Sequence, residues 1–312
     1  MKMTDVLVCA GWVVFFLLSS MYIPLIGPFL SLLSPLPFLY YSIKLGFHQG
    51  VKLAVPVVFI ISLVAKLAGH PQLIILVLEF SLLGLVLSEL FRRNFSLGQT
   101  VFFGAVFILL LGFGTLFFLA LSKNMGPFEM ALTYLEGNLK ATIQAYGEMG
   151  LPHEDIAELE AYGKVLMQAV SAVYPSLLVI GIGFTVWLNV VLARPLFRAG
   201  NLEYPDFDPA DRWQAQERLV WLVIISGFAF FFSSGSIKLL AINSLIILMA
   251  VYLFHGLSIV LFFLNKYHVP SWIRVGIYCF FVIQQIFLAV LALVGFFDQW
   301  VDFRKIHRRT ES

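Results

Sequence analysis

Pro24-Leu-Ile-Gly-Pro-Phe-Leu-Ser-Leu-Leu-Ser-Pro-Leu-Pro37 sets four prolines and a glycine in an otherwise apolar run, between two segments of spanning length. Within a helix a proline lacks the backbone donor and presses its ring on the carbonyl one turn earlier. The run therefore cannot be one smooth helix. At membrane depth a broken backbone survives only where protein or a water-filled cavity covers the freed polar groups. The expectation is a set of spans assembled around a sheltered, broken segment at 24–37, with room among them for a polar guest.

Working outward from that segment, composition sets the class. Hydrophobic residues make up 60% of the 312 and charged residues 12%, against about 25% charge in soluble domains. Apolar runs of roughly 20 residues, the length that crosses a bilayer as a helix, recur at 6–22, 25–43, 49–67, 71–91, 99–122, 168–193, 218–235, 239–264 and 272–297. The reading is an all-α, polytopic transmembrane helical bundle of nine spans, or eight if the proline segment dips in and returns. Its first partner is the lipid bilayer. A net charge of +2, with the charges at span ends, points away from nucleic acid. Cys9 and Cys279 fall inside apolar spans and make no metal site by themselves. Met1-Lys-Met-Thr-Asp leads into the first span with no small-x-small cleavage site at its end, so that span is expected to remain as an anchor.

Lysine and arginine in short loops orient such a bundle. Arg92 and Arg93, with Lys44 and Lys52, mark the cytoplasmic side. The long 123–167 connection then lies outside, where three lysines against seven acids leave it at −4. Arg194, Arg198, Arg212 and Arg218 return 194–217 as a cytoplasmic loop, followed by additional spans over 218–297 and a basic tail at 298–312. Nine crossings would leave Arg304, Lys305, Arg308 and Arg309 outside, against the rule. Either one late segment does not cross, 218–235 being the shortest, or the tail is an exception. The chain 1–312 reads as a single transmembrane domain.

Two connections carry structure of their own. Pro127 suits a first helical position, and Phe128, Leu132, Leu135, Leu139 and Tyr146 form an apolar stripe. Gly147-Glu-Met-Gly150 breaks that helix, and Pro152 opens a second whose Glu154 and Asp155 complement the positive end of its dipole. The second helix is expected to run unbroken into the span at 168, with a kink near Pro175. The hairpin is either a lid over a pocket or a structural cap. In the other connection, Asp208, Pro209 and Asp211 have the pattern of a helix start.

An ionisable or amide group inside a span is costly and marks a candidate site. Glu79 lies near the middle of its span, as a substrate or proton contact or as a hydrogen-bonded link between helices. Gln284 and Gln285 stand at the centre of the last span, pointing about 100° apart. Asn243 and His255 complete the candidate substrate-binding set, and Asn189 reads as a packing group. For Asn243 and His255, too, packing is the alternative. Gly84 and Ser88 form a small-xxx-small step that permits close helix approach. Glu89 is placed to pair with Arg92 or Arg93. Asp298, Asp302 and Lys305 recur at helical spacing; the two carboxylates could hold a cation, but with Arg304, Lys305 and Arg309 adjacent the favoured reading is a salt-bridged exit helix with Trp300 and Phe303 at headgroup level.

No His-Glu-x-x-His, Gly-x-Ser-x-Gly, phosphate-binding glycine loop or Cys-x-x-Cys occurs, so no enzyme and no cofactor is expected. Four stretches carry a resemblance: Pro35-Leu-Pro37, Leu83-Gly-Leu-Val-Leu-Ser-Glu-Leu-Phe-Arg-Arg93, Trp213 through Arg218-Leu-Val-Trp221, and Gly295-Phe-Phe-Asp-Gln-Trp-Val-Asp-Phe-Arg-Lys305. With them nearly the whole chain resembles the YybS-like family of bacterial membrane proteins. It is more distantly similar to the substrate-binding S components of energy-coupling-factor transporters, six-span proteins with an ordered external loop beside the ligand. That similarity implies a six-span core over 6–193 with the hairpin 123–167 near a small-molecule site. One departure is the first span, where Ala10 through Ser20 lacks the alanine-rich docking face of those components.

The expected function is a multi-pass protein of the bacterial cytoplasmic (inner) membrane that binds or translocates a small molecule. Glu79 and one of Gln284 or Gln285 would line the site. The alternative is a non-transporting envelope scaffold, comparable in outline to the rod-shape membrane protein MreD, with a membrane-protein partner.

Overall fold

A computed structural model describes residues 2–23, 26–67, 69–70, 73–150 and 152–304. Pro24, Leu25, Pro71 and the tail residues Lys305, Arg308 and Arg309 lie outside them. The described elements are helical: α1 (Met3–Tyr22), α2 (Gly27–Ser31), α3 (Pro35–Leu45), α4 (Phe47–Leu67), α5 (Leu73–Arg92), α6 (Leu97–Ser122), α7 (Pro127–Glu148), α8 (His153–Ala199), α9 (Leu219–Phe232), α10 (Gly235–Lys266), α11 (Ser271–Ile283) and α12 (Ile286–Val301). They fall into two compact units. The first comprises 1–142 with 181–207, the second 143–180 with 208–312.

The proline run breaks as its composition requires. α2 ends at Ser31, a turn follows, and α3 begins with Pro35 and Pro37 in its first turn, where no intrahelical donor is needed. α3 then forms the axis of the first unit. Phe38 and Tyr41 pack with Val6, Val13, Leu53 and Val57 of α1 and α4. Leu36 and Leu39 pack with Leu83, Leu87 and Phe91 of α5 and Val186, Val190 and Phe197 of α8. Ser34 to Leu39 is fully buried, but Ile26, Pro28 and Phe29 are exposed, so among the described residues the shelter expected for 24–37 is present only in its second half.

Gly84 permits the tightest α3–α5 contact: a Cβ there would lie 2.6 Å from Pro35 O and from Phe38 Cβ. At the end of α8, Phe91, Phe197, Tyr204 and Phe207 make a nest of edge-on rings. Tyr204 donates its hydroxyl to Val190 O at 2.9 Å. Burial pushes that hydroxyl up to about 12, against a smaller opposing pull from Arg194. Arg93 Nε pairs with Glu89 at 2.9 Å across one helical turn, as its spacing predicts.

The hairpin boundaries also follow the sequence. α7 opens on Pro127 and ends at Glu148, Gly150 turns with φ +88°, and α8 continues from His153 to Ala199 as one helix. At 1.5 Å per residue α8 is about 70 Å long, more than twice the roughly 30 Å hydrocarbon core. Its charged first turns must therefore project beyond the bilayer.

The number of spans is lower than eight or nine. Among the described residues six helices are long and apolar enough to cross, and a seventh span arises only if α11 and α12 count as one. Three expected spans fail for separate reasons. The 25–43 segment divides into α2 and α3, and α9 has only 14 residues. The 272–297 segment bends by 105° between α11 and α12. The helix start expected from Asp208 and Pro209 is a 3-10 turn at Ala210–Arg212, with no side-chain cap.

Candidate functional site

In the second unit α10 and α12 cross at van der Waals contact. A Cβ on Gly256 would lie 2.0 Å from Leu291 O, and one on Gly295 would lie 2.1 Å from Tyr252 O. Two glycines thus bring the backbones together, as small residues do where helices associate in lipid. This approach sets His255 of α10 against Asp298 of α12.

His255, Asp298 and Arg304 are all buried and meet one another. His255 Nε2 is 3.0 Å from Asp298 Oδ2 and 2.9 Å from Arg304 Nη2, and Arg304 Nη2 also reaches Asp298 Oδ2 at 3.2 Å. A single ring nitrogen donates or accepts but does not do both. With its proton on Nε2, His255 donates to Asp298, and Arg304 keeps Asp298 as an acceptor. With the proton on Nδ1, the N–H would be buried with no hydrogen-bonding partner among the described residues. An unmet buried donor costs about 1–3 kcal/mol, which favours the Nε2–H tautomer, although Arg304 Nη2 then faces a second donor at 2.9 Å.

Nη1 of Arg304 ties this cluster to the chain before α9. Nη1 donates to Asp211 O, Trp213 O and Ser258 Oγ at 2.9, 3.1 and 2.9 Å, and Ser258 donates to Trp213 O. Gln299 donates to Ala215 O at 3.0 Å. Near the end of α10, Asn265 donates to Asp211 Oδ2 and accepts from Arg274 of α11. The start of α11 and Arg304, three residues beyond α12, therefore converge on the same Asp211–Trp213 turn. That geometry describes an arm that bends at Gln284 and returns. It brings Arg304 to the Asp211–Trp213 turn.

Two of the four stretches that carry the family resemblance meet here, Trp213–Trp221 and Gly295–Arg304. The other two, Pro35–Pro37 and Leu83–Arg93, meet at Gly84 in the first unit.

The five sequence candidates are placed separately. Glu79 belongs to the first unit, half-buried on α5, with Gly112 of α6 at 3.9 Å (measured to a Cβ placed there) and Thr115 as a hydrogen-bonding neighbour. The other four belong to the second unit. Gln284 and Gln285 are exposed and sit at the break between α11 and α12, not at the centre of a straight span. Asn243 is buried and engaged with α8: it accepts from Ser176 N at 2.9 Å and donates to Ala172 O and Leu239 O at 2.8 Å each. His255 is not a lone histidine, and Asp298 turns inward to it where the sequence suggested an exit helix shared with Asp302 and Lys305. Asn189, in the first unit, donates to Leu32 O in the turn between α2 and α3 at 2.7 Å.

Sequence reading placed Arg304 beside Asp298 as one of several basic neighbours, and that ion pair is present; it missed Ser258 and Asp211 as partners. The signal for the pair was that Asp298 and Arg304 share the terminal motif. Inside the first unit, the gap among Val14, Leu17, Ile61, Ala65 and Leu73 is apolar and holds about 30 Å³, room for one water.

A family model described as "Predicted membrane protein (DUF2232)" matches residues 12–299. "Uncharacterized protein YybS" of Bacillus subtilis (strain 168) is 23% identical over 300 residues, covering 92% of this chain and 92% of that protein. No solved structure matches.

Proposed function

Because the chain belongs to the DUF2232 family of predicted membrane proteins, we propose that it is a non-catalytic docking platform of the bacterial cytoplasmic membrane, presenting its 123–167 arm to a membrane-protein partner. The observation that carries this reading is the arm's surface. Phe128, Tyr134, Tyr146, Tyr162, Val165 and Leu166 are exposed on α7 and on the first third of α8, and the acids interleaved with them, Glu129, Glu136, Glu154, Asp155, Glu158 and Glu160, favour a position outside the hydrocarbon core. Exposed apolar side chains outside the bilayer favour a protein partner. The net −4 of the segment favours a basic one. Deeper in the chain, Asn243, His255 and Asp298 spend their hydrogen bonds on neighbouring helices, the behaviour of structural links.

Photo-crosslinkers at Tyr134 and Tyr162, activated in native membranes, test the platform. A stoichiometric protein adduct that weakens with rising salt is the expected result. Adducts to lipid alone would sink it. Cysteines at Met149 and Ser312 test the sidedness it assumes, with alkylation expected from opposite faces.

A second reading, that the protein binds or translocates a small molecule through an S-component-like core, is favoured by Glu79, a carboxyl half-buried midway along an apolar helix. Its test is a thermal-shift screen of metabolites on the purified chain. A stabilising metabolite whose effect disappears in Glu79→Gln would support it over the platform.

A further inference from the structure

Pro175 lies inside α8, which nevertheless continues as a helix to Ala199. A proline at that position removes the donor that Ser171 O would receive and crowds the same carbonyl. The next pair along the ladder, Ser176 N–H and Ala172 C=O, is the one such a ring spreads apart. Those two groups are the ones the side chain of Asn243 engages, with its carbonyl oxygen on Ser176 N at 2.9 Å and its amide on Ala172 O at 2.8 Å. The second amide hydrogen goes to Leu239 O, one turn back on its own helix. Asn243 is 8% exposed and Ser176 is wholly buried, so water does not compete readily for either bond. A side chain inserted beside the ladder is a recognised cause of helix bending. In lipid, groups freed by a proline must be paired again by neighbours.

We propose that α8 carries a proline hinge at Pro175 whose angle is set by the Asn243 amide of α10 acting as a clamp on Ala172 and Ser176. The clamp is specific to the proline. Without Pro175, α8 satisfies Ser176 N–H and Ala172 C=O by itself, and Asn243 is left with nothing that needs holding. Asn243 is thus a positioning residue for the half of α8 that leads to the arm. The hinge does not depend on what the arm binds, so it stands or falls apart from the docking reading.

The test uses the full chain in nanodiscs, with Cys9→Ser and Cys279→Ser and nitroxide labels on Tyr162→Cys and Ile237→Cys. Both label sites are exposed and lie in the second unit. Pulsed electron–electron resonance reads the distance distribution between them. With the native hinge the distribution is narrow. Asn243→Ala is expected to broaden it at least twofold, and Pro175→Ala to leave it narrow. Pro175→Ala combined with Asn243→Ala is expected to match Pro175→Ala alone. A narrow distribution in Asn243→Ala would overturn the proposal, as would a double variant as broad as Asn243→Ala. Should Asn243→Ala fail to fold, the double variant must recover folding, because the straightened ladder no longer needs the amide. Failure of both would show Asn243 to be ordinary helix glue.

Discussion

In the first unit Gly84 lets α5 sit on Pro35 and Phe38 of α3 with apolar side chains on either side. In the second, the Gly256–Gly295 crossing comes with a buried histidine, aspartate and arginine. Both crossings use glycine to bring backbones close, since lipid provides little hydrophobic drive between helices. They differ in what holds the crossing afterwards. Apolar packing is non-directional, and a lost methylene is a local defect. A charge cluster is directional, and removing one member leaves another charge buried and unpaired. The first unit should therefore fail gradually and the second abruptly.

The largest expected effect tests that difference directly. Arg304→Ala removes the guanidinium from buried Asp298 and should lower stability by about 3–5 kcal/mol, read as the chemical unfolding midpoint in mild detergent. A loss no greater than that of Leu36→Ala in the first unit would erase the contrast between the units. Next come the crossings themselves. Gly256→Ala and Gly84→Ala each overpack, at about 1–3 kcal/mol. Gly256→Ala should cost more, because its new methyl meets a backbone carbonyl at 2.0 Å, where the one on Gly84 meets its nearest carbonyl at 2.6 Å. Equal thermal shifts for the two would mean that α12 slides freely on α10.

Smaller again is Asn189→Ala, which strips the donor from Leu32 O where α3 begins. A loss of about 1 kcal/mol is expected, and a loss several times larger would show that the first unit also depends on a polar keystone. The mildest effect is alkaline. The folded state raises the hydroxyl of Tyr204 above its ordinary value, so folding favours the protonated phenol. Its contribution is complete below about pH 10. It is lost as the pH climbs through the folded value of about 12. Tyr204→Phe should remove that part of the alkaline slope in a pH series of melting temperatures while leaving the acid side unchanged.

Several features were legible along the chain because they depend on neighbours in sequence. Pro127 and the Gly147–Gly150 break mark the ends of α7, and the Glu89–Arg93 spacing marks an ion pair, from local backbone and helical geometry alone. The prolines of 24–37 likewise announce an interruption wherever they are placed. The bend after Ile283 carried no such mark: Gln284 and Gln285 interrupt an apolar run without proline or glycine, so hydropathy read straight across them. The helix-start pattern at Asp208–Asp211 misled because an acid of that pattern can equally serve a distant donor, and Asn265 claims Asp211.

By itself the sequence determined that this chain is helical, that it lies in a membrane, and that residues 24–37 cannot form one rod. These follow from summed hydropathy and from the backbone chemistry of proline, both of which act within a few residues. Only the tertiary structure decided that Asp298 belongs to His255, 43 positions away, and that Asn243 attends the proline of α8. Which buried polar groups meet depends on where helices cross. That is set by glycines and side-chain shapes on two surfaces at once, which no single stretch of chain records.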